Sequence, residues 1–425
     1  MFSISDRAGT ASGPEGRVPP PVRHPENSPG QTKHPEHATL GAVSSDQGSL
    51  PLSVQDALKI VSAEIIAYRL FDFSYSADLV QAADLWHRHT GTSSARKRLN
   101  TTLPKAMSYD VPPIVLPLEA VLLTLPDGQV TAAVTARLYD FGVLTLSLAV
   151  PVKDMGWLEF SERLNAIDDA VGPGSDHPVW IRLAGELHAV LDGAMTRPQR
   201  SDLQEDYLVG VVHAFDRPMT AASLLDGYDL TPLLSGEQLP LSEGARADLM
   251  RKRFSYYTDD LVVLTWDRGF LYEPRGDSDV LDVIEVANAQ LLEMRYYDEL
   301  LDDELPRMYD LVEKTHRLGG FLSSRRFASL ARRFYALVAE VTELTEKVDN
   351  ALQVTEDVYL ARIYTAALDL FRVSVVSAAV DRKLSIIRDT YTALYEEASG
   401  GRAAAMEFVI VVLILAEVLL ALLRH

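Results

Sequence analysis

The C-terminal stretch "AAAMEFVIVVLILAEVLLALLRH", residues 403–425, constrains this chain more than any other segment. Of the sixteen residues in 408–423, thirteen are Leu, Ile, Val or Phe. As a helix, residues 403–423 would extend about 32 Å, close to the roughly 30 Å of a bilayer's hydrocarbon core. The segment therefore predicts a transmembrane tail anchor over residues 402–424.

Glu417 lies inside this apolar run, so its cost must be set against the gain of its neighbours. The large apolar residues favour insertion by roughly 4–8 kcal/mol, whereas one central acid costs about 2.5–3.5 kcal/mol. An intramembrane carboxylate is expected to be protonated or hydrogen-bonded across a helix interface. We therefore predict that Glu417 faces Glu417 of a second copy in a homo-oligomer. The alternative to a membrane span at 402–424 is a buried hairpin helix inside an oligomer core.

The segments that flank the chain's body indicate an orientation. Basic residues precede the apolar run, which suits a cytoplasmic N-terminal side. Residues 1–50 are rich in Pro, Gly and Ser and predict a disordered arm. They contain no apolar stretch typical of a secretory signal, and their prolines and acids oppose a mitochondrial presequence. We expect a single-pass protein of the inner (plasma) membrane with its bulk in the cytoplasm, or of the mitochondrial inner membrane in a eukaryote.

The overall composition limits the classes of function. The net charge is −20, which argues against nucleic acid as the main partner. Cysteine is absent, which excludes disulfides, thiolate metal sites and a cysteine nucleophile. No phosphate-binding loop, dinucleotide fingerprint or nucleophile elbow follows a predicted strand. The sequence therefore predicts no catalytic residue, no cofactor and no metal ligand.

Residues 52–305 predict an α+β head domain with a mixed, largely antiparallel sheet and helices on one face. Strand-like runs occur at 64–73, 120–152, 207–215 and 259–274, and amphipathic helices at 76–89 and 156–171. Turns are indicated by Pro126-Asp127-Gly128, by the Tyr139 to Gly142 break and by Asp267-Arg268-Gly269. A long helix is expected from about 279 to 304. The paired histidines His87 and His89 do not share a helix face, which favours a surface position.

Residues 306–400 predict a helical hairpin, because 321–399 contain neither Gly nor Pro. The corner is expected between Asp349 and Thr355, with Thr355 as the N-cap of the second arm. Apolar residues recur at spacings of four and three in that arm, at Ala366, Leu370, Val373, Ser377, Val380, Leu384, Ile387, Tyr391 and Leu394. This repeat indicates an antiparallel coiled coil. The alternative is an ordinary helical bundle packed on the head.

Two charged segments stand out near the start of this hairpin. Between Glu313 and Glu340 the chain has no acid, and its cations form a candidate lipid or partner patch comprising Lys314, Arg317, Arg325, Arg326, Arg332 and Arg333. The acidic run at 298–304 is the nearest thing to a cation site. The alternative is that patch and acidic run complement each other within the chain.

Several motifs, taken in order, resemble one family. "LTEKVDNALQVTEDVYLARIYTAALDLFRV" (344–373), "VDRKLSIIRDTY" (380–391) and "MEFVIVVLILAEVLLALL" (406–423) are similar to the required-for-meiotic-nuclear-division family, also called the YagE or Sif family. "LYDFGVLTLSL" (138–148) is similar to its earlier β motif, with Phe141 in place of the usual Tyr. In this resemblance Glu407 and Glu417 occupy the family's acidic positions, which places both at an intramembrane or oligomer interface.

The resemblance implies a membrane-anchored, non-enzymatic protein with a coiled coil before its anchor. Mitochondrial members are inner-membrane homo-oligomers that support organellar translation, and this chain is more similar to the bacterial members. The leading expectation is thus an oligomeric scaffold or adaptor whose partners are the lipid bilayer, further copies of itself and an unknown protein. The alternatives are a carboxylate- or metal-dependent enzyme or regulator in the head, and an ion-conducting assembly lined by Glu417.

Overall fold

The structure is a computed structural model of the chain. It describes residues 58–423 apart from 92–94, 97–107, 110, 176, 199–202, 238, 277–278, 317–328, 340, 343–351 and 354–356. The chain divides into two units, Met1–Gly48 and Ser49–His425. The predicted disordered arm over 1–50 lies outside the described residues, so the fold below belongs to the second unit.

Within the described residues, a nine-stranded sheet runs through this unit. The strands of the chain are β1 (Lys59–Asp72), β2 (Ser74–Ala77), β3 (Ala95–Arg96), β4 (Ser108–Tyr109), β5 (Ile114–Leu125), β6 (Gly128–Leu138), β7 (Val143–Gly156), β8 (Met195–Pro198), β9 (Gln204–Phe215), β10 (Arg253–Phe254), β11 (Leu261–Leu264), β12 (Arg268–Tyr272) and β13 (Leu352–Gln353). The sheet order is β10-β11-β12-β9-β1-β7-β6-β5-β3. Strands β12 and β9 are parallel and the other neighbours are antiparallel, which confirms a largely antiparallel mixed sheet.

Some helices lie between strands along the chain, and the longest ones follow β12. They are α1 (Leu79–Thr90), α2 (Trp157–Val171), α3 (Val179–Leu191), α4 (Ala221–Gly227), α5 (Thr231–Ser235), α6 (Glu243–Leu249), α7 (Val280–His316), α8 (Val358–Leu370) and α9 (Val373–Leu423). Residues 329–339 are helical as well. Helices α1 and α2 match the two amphipathic segments of the sequence, and α1 begins where Asp78 accepts hydrogen bonds from the amides of Val80 and Gln81.

Helices cover both faces of the sheet, so the expectation of helices on one face was wrong. Alternate residues of β1 enter different cores: Ala63, Ile65 and Ala67 pack beneath α1–α3, and Ile66, Tyr68 and Leu70 pack beneath α7–α9. The sequence of β1, KIVSAEIIAYRLFD, is apolar at consecutive positions for this reason. Such near-continuous apolar runs are typical of strands buried on both faces.

The turns of the predicted β region are largely confirmed. Strand β5 ends at Leu125 and β6 begins at Gly128, as Pro126-Asp127-Gly128 indicates. The break before β7 needs glycine, because Gly142 has φ +97° and a Cβ there would lie 1.7 Å from the Ser74 carbonyl oxygen. The third turn lies earlier than expected, since Arg268 already belongs to β12.

Helix α7 is longer than the predicted 279–304 helix. It continues to His316, so the predicted boundary between a head at 52–305 and a hairpin at 306–400 falls inside it. One end of α7 packs on β1 and β9, and α8 and α9 pack along it. The helix therefore joins the sheet to the C-terminal helices.

The second arm of the predicted hairpin is broken, although it contains neither Gly nor Pro. Helices α8 and α9 meet at an angle of 63°. Arg372 adopts a left-handed conformation with φ 56°, and Phe371 beside it is buried with its ring 5.5 Å from that of Tyr207. Packing of this aromatic residue on the sheet thus accompanies a bend that helix propensity alone does not predict.

The N-cap of the second arm also differs from the prediction. Asp357, not Thr355, caps α8, because its carboxylate accepts hydrogen bonds from the amides of Tyr359 and Leu360 at 2.8 and 3.4 Å. The corner expected between Asp349 and Thr355 lies outside the described residues, apart from β13, which pairs with β4.

The apolar seam of the second arm is a core stripe. Five of its members on α9 are buried: Val373, Val380, Leu384, Ile387 and Leu394. They pack towards α7, and the Tyr391 ring lies 5.9 Å from that of Tyr335 in the helical segment 329–339. Helix α9 thus contacts α7 and the helical segment 329–339 through this stripe. The antiparallel coiled coil stays a prediction, since much of its first arm lies outside the described residues.

Candidate functional site

The end of α9 exposes a continuous run of apolar side chains. All seven residues from 409 to 415 are large and apolar, and each is between 45% and 63% exposed. The same helix buries one regular stripe between Val373 and Leu394. An apolar helix exposed on every side needs lipid or other protein around it.

The described residues contain no single helix that meets the length and hydropathy expected of a membrane span. The bent pair Val358–Leu370 with Val373–Glu396 passes by length and composition only. Ile363, Val380 and Ile387 of that pair are buried in the protein core, where core helices have the same composition. The side chains of 397–408 and 418–423 lie outside the described residues. The tail anchor at 402–424 therefore stays a prediction.

The predicted oligomer-interface acids lie on α9. Glu417 is exposed two residues beyond the run at 409–415, and the side chain of Glu407 lies outside the described residues. Because a carboxyl group in lipid needs a hydrogen-bonding partner, we expect Glu417→Leu to weaken self-association in detergent. Loss of one such contact, worth about 1–2 kcal/mol, corresponds to a roughly 5–30-fold higher dissociation constant. Light scattering coupled to size exclusion, over a range of protein concentrations, measures this change.

The neighbouring substitution Ala416→Leu is the control, since it adds apolar bulk without touching a carboxyl group. Its oligomer mass should follow that of the unchanged protein across the dilution series. If Glu417→Leu dissociates no more readily than this control, Glu417 has no part in the interface.

The predicted basic patch is described only at its distal end. Arg332 and Arg333 are exposed, and the Nη2 atom of Arg333 lies 3.9 Å from Oε2 of Glu304. The side chain of Lys314 lies outside the described residues, as do Arg317, Arg325 and Arg326. The one described ion pair thus connects the patch to the acidic run.

The acidic run itself is paired with cations of the chain. Lys383 of α9 lies 2.7 Å from both Asp298 and Asp302, and Arg307 lies 2.7 Å from Glu304. Burial alone would lower the pKa of Lys383, but its hydrogen bonds to these two carboxylates raise it above the ordinary value. In the part of the chain that the structure describes, no three His, Asp or Glu side chains are grouped to hold a metal ion. These contacts support the intramolecular alternative.

A buried charge network lies between the sheet and α7. Arg137 of β6 places its Nη1 atom 2.7 Å from Asp282 and 2.5 Å from Glu285, both 2% exposed. The hydroxyl of Tyr139 donates a hydrogen bond of 2.8 Å to Glu285. Burial alone would lower the pKa of Arg137, but the two carboxylates raise it well above its ordinary range. The guanidinium therefore stays charged and holds α7 on the sheet.

Two further acids are buried at the same junction. Asp72 at the end of β1 and Glu293 on α7 are 5% and 3% exposed. Burial raises the pKa of Asp72 to about 7, and burial together with the charge of Asp72 raises that of Glu293 to about 8. Tyr297 donates a hydrogen bond of 2.7 Å to Glu293, whereas Asp72 Oδ2 has no hydrogen-bond partner among the described residues. This pair can bind protons near neutral pH.

A surface groove missed by sequence reasoning lies between α8 and the segment that contains β10. The two walls touch at three places: Lys252 with Asp369 at 2.6 Å, Arg362 over the Phe254 ring at 5.9 Å, and the Tyr256 and Tyr359 rings at 5.3 Å. The groove has a volume of about 760 Å³. The sequence feature that could have indicated this groove is the run Arg251-Lys252-Arg253, three adjacent cations in an acidic chain.

Beside this groove lies a smaller pocket of about 200 Å³, walled by Tyr256, Tyr257 and Tyr359. Two of its four acids are used by the backbone: Asp260 accepts hydrogen bonds from the amides of Tyr256 and Tyr257 at 2.7 and 3.0 Å, and Asp357 caps α8. The carboxylates thus shape the loop and the helix end.

A second groove of about 760 Å³ lies between α1, α3 and β5. Arg182 and Glu186 pair with each other at 3.1 Å along its rim. His87 and His89 of α1 are exposed, as the sequence indicated, and His89 lines this groove.

Comparison with known proteins gives a family for the sheet domain. Residues 62–279, just over half of the chain, match the model of a family described as "Uncharacterized protein MJ0711, N-terminal domain". The chain belongs to this family. The matched segment runs from within β1 to the residue before α7, so it includes the sheet and Arg137 but not the acids of α7.

A curated relative agrees with this match. The uncharacterized protein MJ0711 of Methanocaldococcus jannaschii is 28% identical over 194 residues, which are 45% of this chain. The chain spans 58% of that protein's length. No solved structure matches the chain significantly.

Proposed function

We propose that this protein is a membrane-anchored, non-enzymatic oligomeric scaffold or adaptor. In this proposal α9 inserts its apolar end in the bilayer of the inner (plasma) membrane as a single span. The sheet and the helices packed on it then lie in the cytoplasm, where they bind other proteins. The observation that carries the proposal is the run at 409–415, whose seven large apolar side chains are exposed on a helix that is otherwise anchored in the core.

Membership of the required-for-meiotic-nuclear-division family remains part of the proposal. Its closest motifs lie at 344–373, 380–391 and 406–423, outside the segment matched by the MJ0711 family at 62–279. The earlier β motif at 138–148 falls inside that segment, so the two likenesses overlap only there, and neither argues for or against the other. The resemblance adds to the proposal a role in translation or membrane organisation and a homo-oligomeric assembly.

Alkaline carbonate extraction of membranes from cells that express the full-length chain tests the anchor. We expect the unchanged protein to stay with the membranes. In the variant Val411→Lys with Leu413→Lys, the two added charges and Glu417 together cost about 7.5–10.5 kcal/mol, which outweighs the gain of roughly 4–8 kcal/mol. Most of that variant should appear in the supernatant.

The matched control places the same two lysines at exposed apolar positions of the body, as Ile181→Lys with Leu239→Lys. These side chains are 71% and 77% exposed, so the control changes charge and surface hydropathy equally without touching the tail. It should remain with the membranes. Release of the unchanged protein by carbonate would rule out the anchor.

A further inference from the structure

We propose that the groove between β10 and α8 binds an extended acidic segment of a partner protein. One wall of the groove is formed by residues 251–254 and the other by residues of α8 between Val358 and Asp369. None of these residues belongs to the apolar tail, so the inference stands independently of the membrane anchor.

The first argument is charge. Four cations, Arg251, Lys252, Arg253 and Arg362, line the groove together with one carboxylate, Asp369. Lys252 is paired with Asp369 at 2.6 Å, whereas the three arginines form no ion pair with any described carboxylate. In a chain with a net charge of −20, this local excess of cations selects an anion.

The second argument is spacing. Arg251 and Arg253 are exposed, and they alternate with the half-buried Lys252 and Phe254. Strand β10 begins at Arg253, and Arg251 lies in the bend two positions before it, so the two exposed arginines flank the start of the strand on one wall of the groove. Alternate side chains of an extended peptide lie about 7 Å apart, a distance that two long arginine side chains can match, and a guanidinium binds a carboxylate through two parallel hydrogen bonds. Acids at every second position of a bound peptide would therefore meet the two arginines.

The third argument is the sheet edge. Strand β10 is the first strand of the nine-stranded sheet and pairs with β11 on one side; within the described ranges no strand pairs with its other side. Extended peptides bind such edges by adding main-chain hydrogen bonds to them. Phe254 and Val358, which is 73% exposed, offer apolar contact along the same groove.

The overall charge favours a peptide over nucleic acid. A nucleic acid strand carries a charge on every nucleotide and would be repelled along its length by an acidic protein. A short acidic segment carries few charges and can be matched by the arginines of the groove alone. Nucleic acid and anionic lipid are therefore competing outcomes of the test.

Fluorescence anisotropy with the full-length protein, in detergent, tests the inference. The probe is a labelled decapeptide of alternating Glu and Thr, compared with a peptide of the same composition whose glutamates are contiguous, an alternating Lys and Thr peptide, a single-stranded RNA decamer and phosphatidylserine vesicles. We expect the alternating acidic peptide to bind most tightly and to weaken with added salt. Arg251→Glu with Arg253→Glu should weaken it about tenfold or more.

The matched control is Arg88→Glu with Arg388→Glu, which reverses two exposed charges outside the groove. It should leave peptide binding unchanged. If the groove variant loses its fold by circular dichroism, Arg251→Gln with Arg253→Gln replaces it and should weaken binding by several-fold. The inference is overturned if the alternating acidic peptide does not bind, if the control weakens it equally, or if RNA or vesicles bind these arginines more tightly.

Discussion

Replacing Arg137 with leucine is expected to destabilise the protein by roughly 3–5 kcal/mol. The substitution leaves Asp282 and Glu285 at the buried junction of sheet and α7 without the cation that both of them contact. An uncompensated buried carboxylate destabilises the folded state because it has lost its hydration and has no ion pair to replace it. Urea denaturation followed by tryptophan fluorescence should show this loss as a lower midpoint. The yield of soluble protein should fall as well.

The control for this prediction is Arg182→Leu, which removes an exposed ion pair with Glu186 on α3. An exposed pair contributes about 0–1 kcal/mol, so its midpoint should barely move. In addition, replacing Arg137, Asp282 and Glu285 together with leucine should recover much of the stability, because no unpaired charge remains. Equal midpoints for Arg137→Leu and Arg182→Leu would contradict the role of the network.

The local signals of the head could be read from the sequence. Period-two runs and turn residues indicated β5, β6 and β7, and Gly128 follows from turn chemistry that involves only neighbouring residues, whereas Gly142 also answers to the close approach of Ser74. The buried network could not be read in this way. Arg137 and Asp282 are 145 positions apart, and nothing local tells which of the chain's 60 acids will meet a given arginine.

The C-terminal helices show a different limit. Helix α9 continues through Gly400 and Gly401, whereas the chain bends at Phe371 and Arg372, where no helix-breaking residue stands. Intrinsic propensity differs by about 1 kcal/mol between Gly and Ala, and burial of one aromatic ring outweighs it. A bend set by packing against Tyr207 therefore has no signature in the sequence around it.

The groove at β10 shows how a charge signal can be overlooked. Three adjacent cations at 251–253 are visible in the sequence, but their partner wall is α8, more than a hundred residues later. The longer basic segment between Glu313 and Glu340 is the more conspicuous one in the sequence, yet its described part includes Arg333 paired with an acid of the same chain. The number of cations in a stretch of sequence is thus a weaker guide to an anion-binding site than the absence of nearby carboxylates in the folded structure.

The buried acids Asp72 and Glu293 should make stability fall as pH rises. Their folded-state pKa values, about 7 and about 8, lie above their ordinary values, so between about pH 4 and pH 8 the folded protein binds more protons than the unfolded chain. The free energy of unfolding then decreases with rising pH across this window and levels off above it. Asp72→Asn with Glu293→Gln removes the part of this dependence that the two acids cause and should gain on the order of 2–4 kcal/mol relative to the unchanged protein at pH 8.5.

Urea midpoints at pH 5, 6.5 and 8.5 measure this effect. At each pH, the difference in midpoint between the variant and the unchanged protein gives the contribution of the two acids, separate from that of other titrating groups. Burial also raises the pKa values of Glu205, Asp206 and Asp267, so the double variant should keep part of the slope of the unchanged protein. Asp84→Asn, at an exposed acid of α1, is the control and should follow the unchanged protein at every pH. Parallel pH profiles for the double variant and the unchanged protein would mean that neither buried acid holds a proton at the junction of β1 and α7.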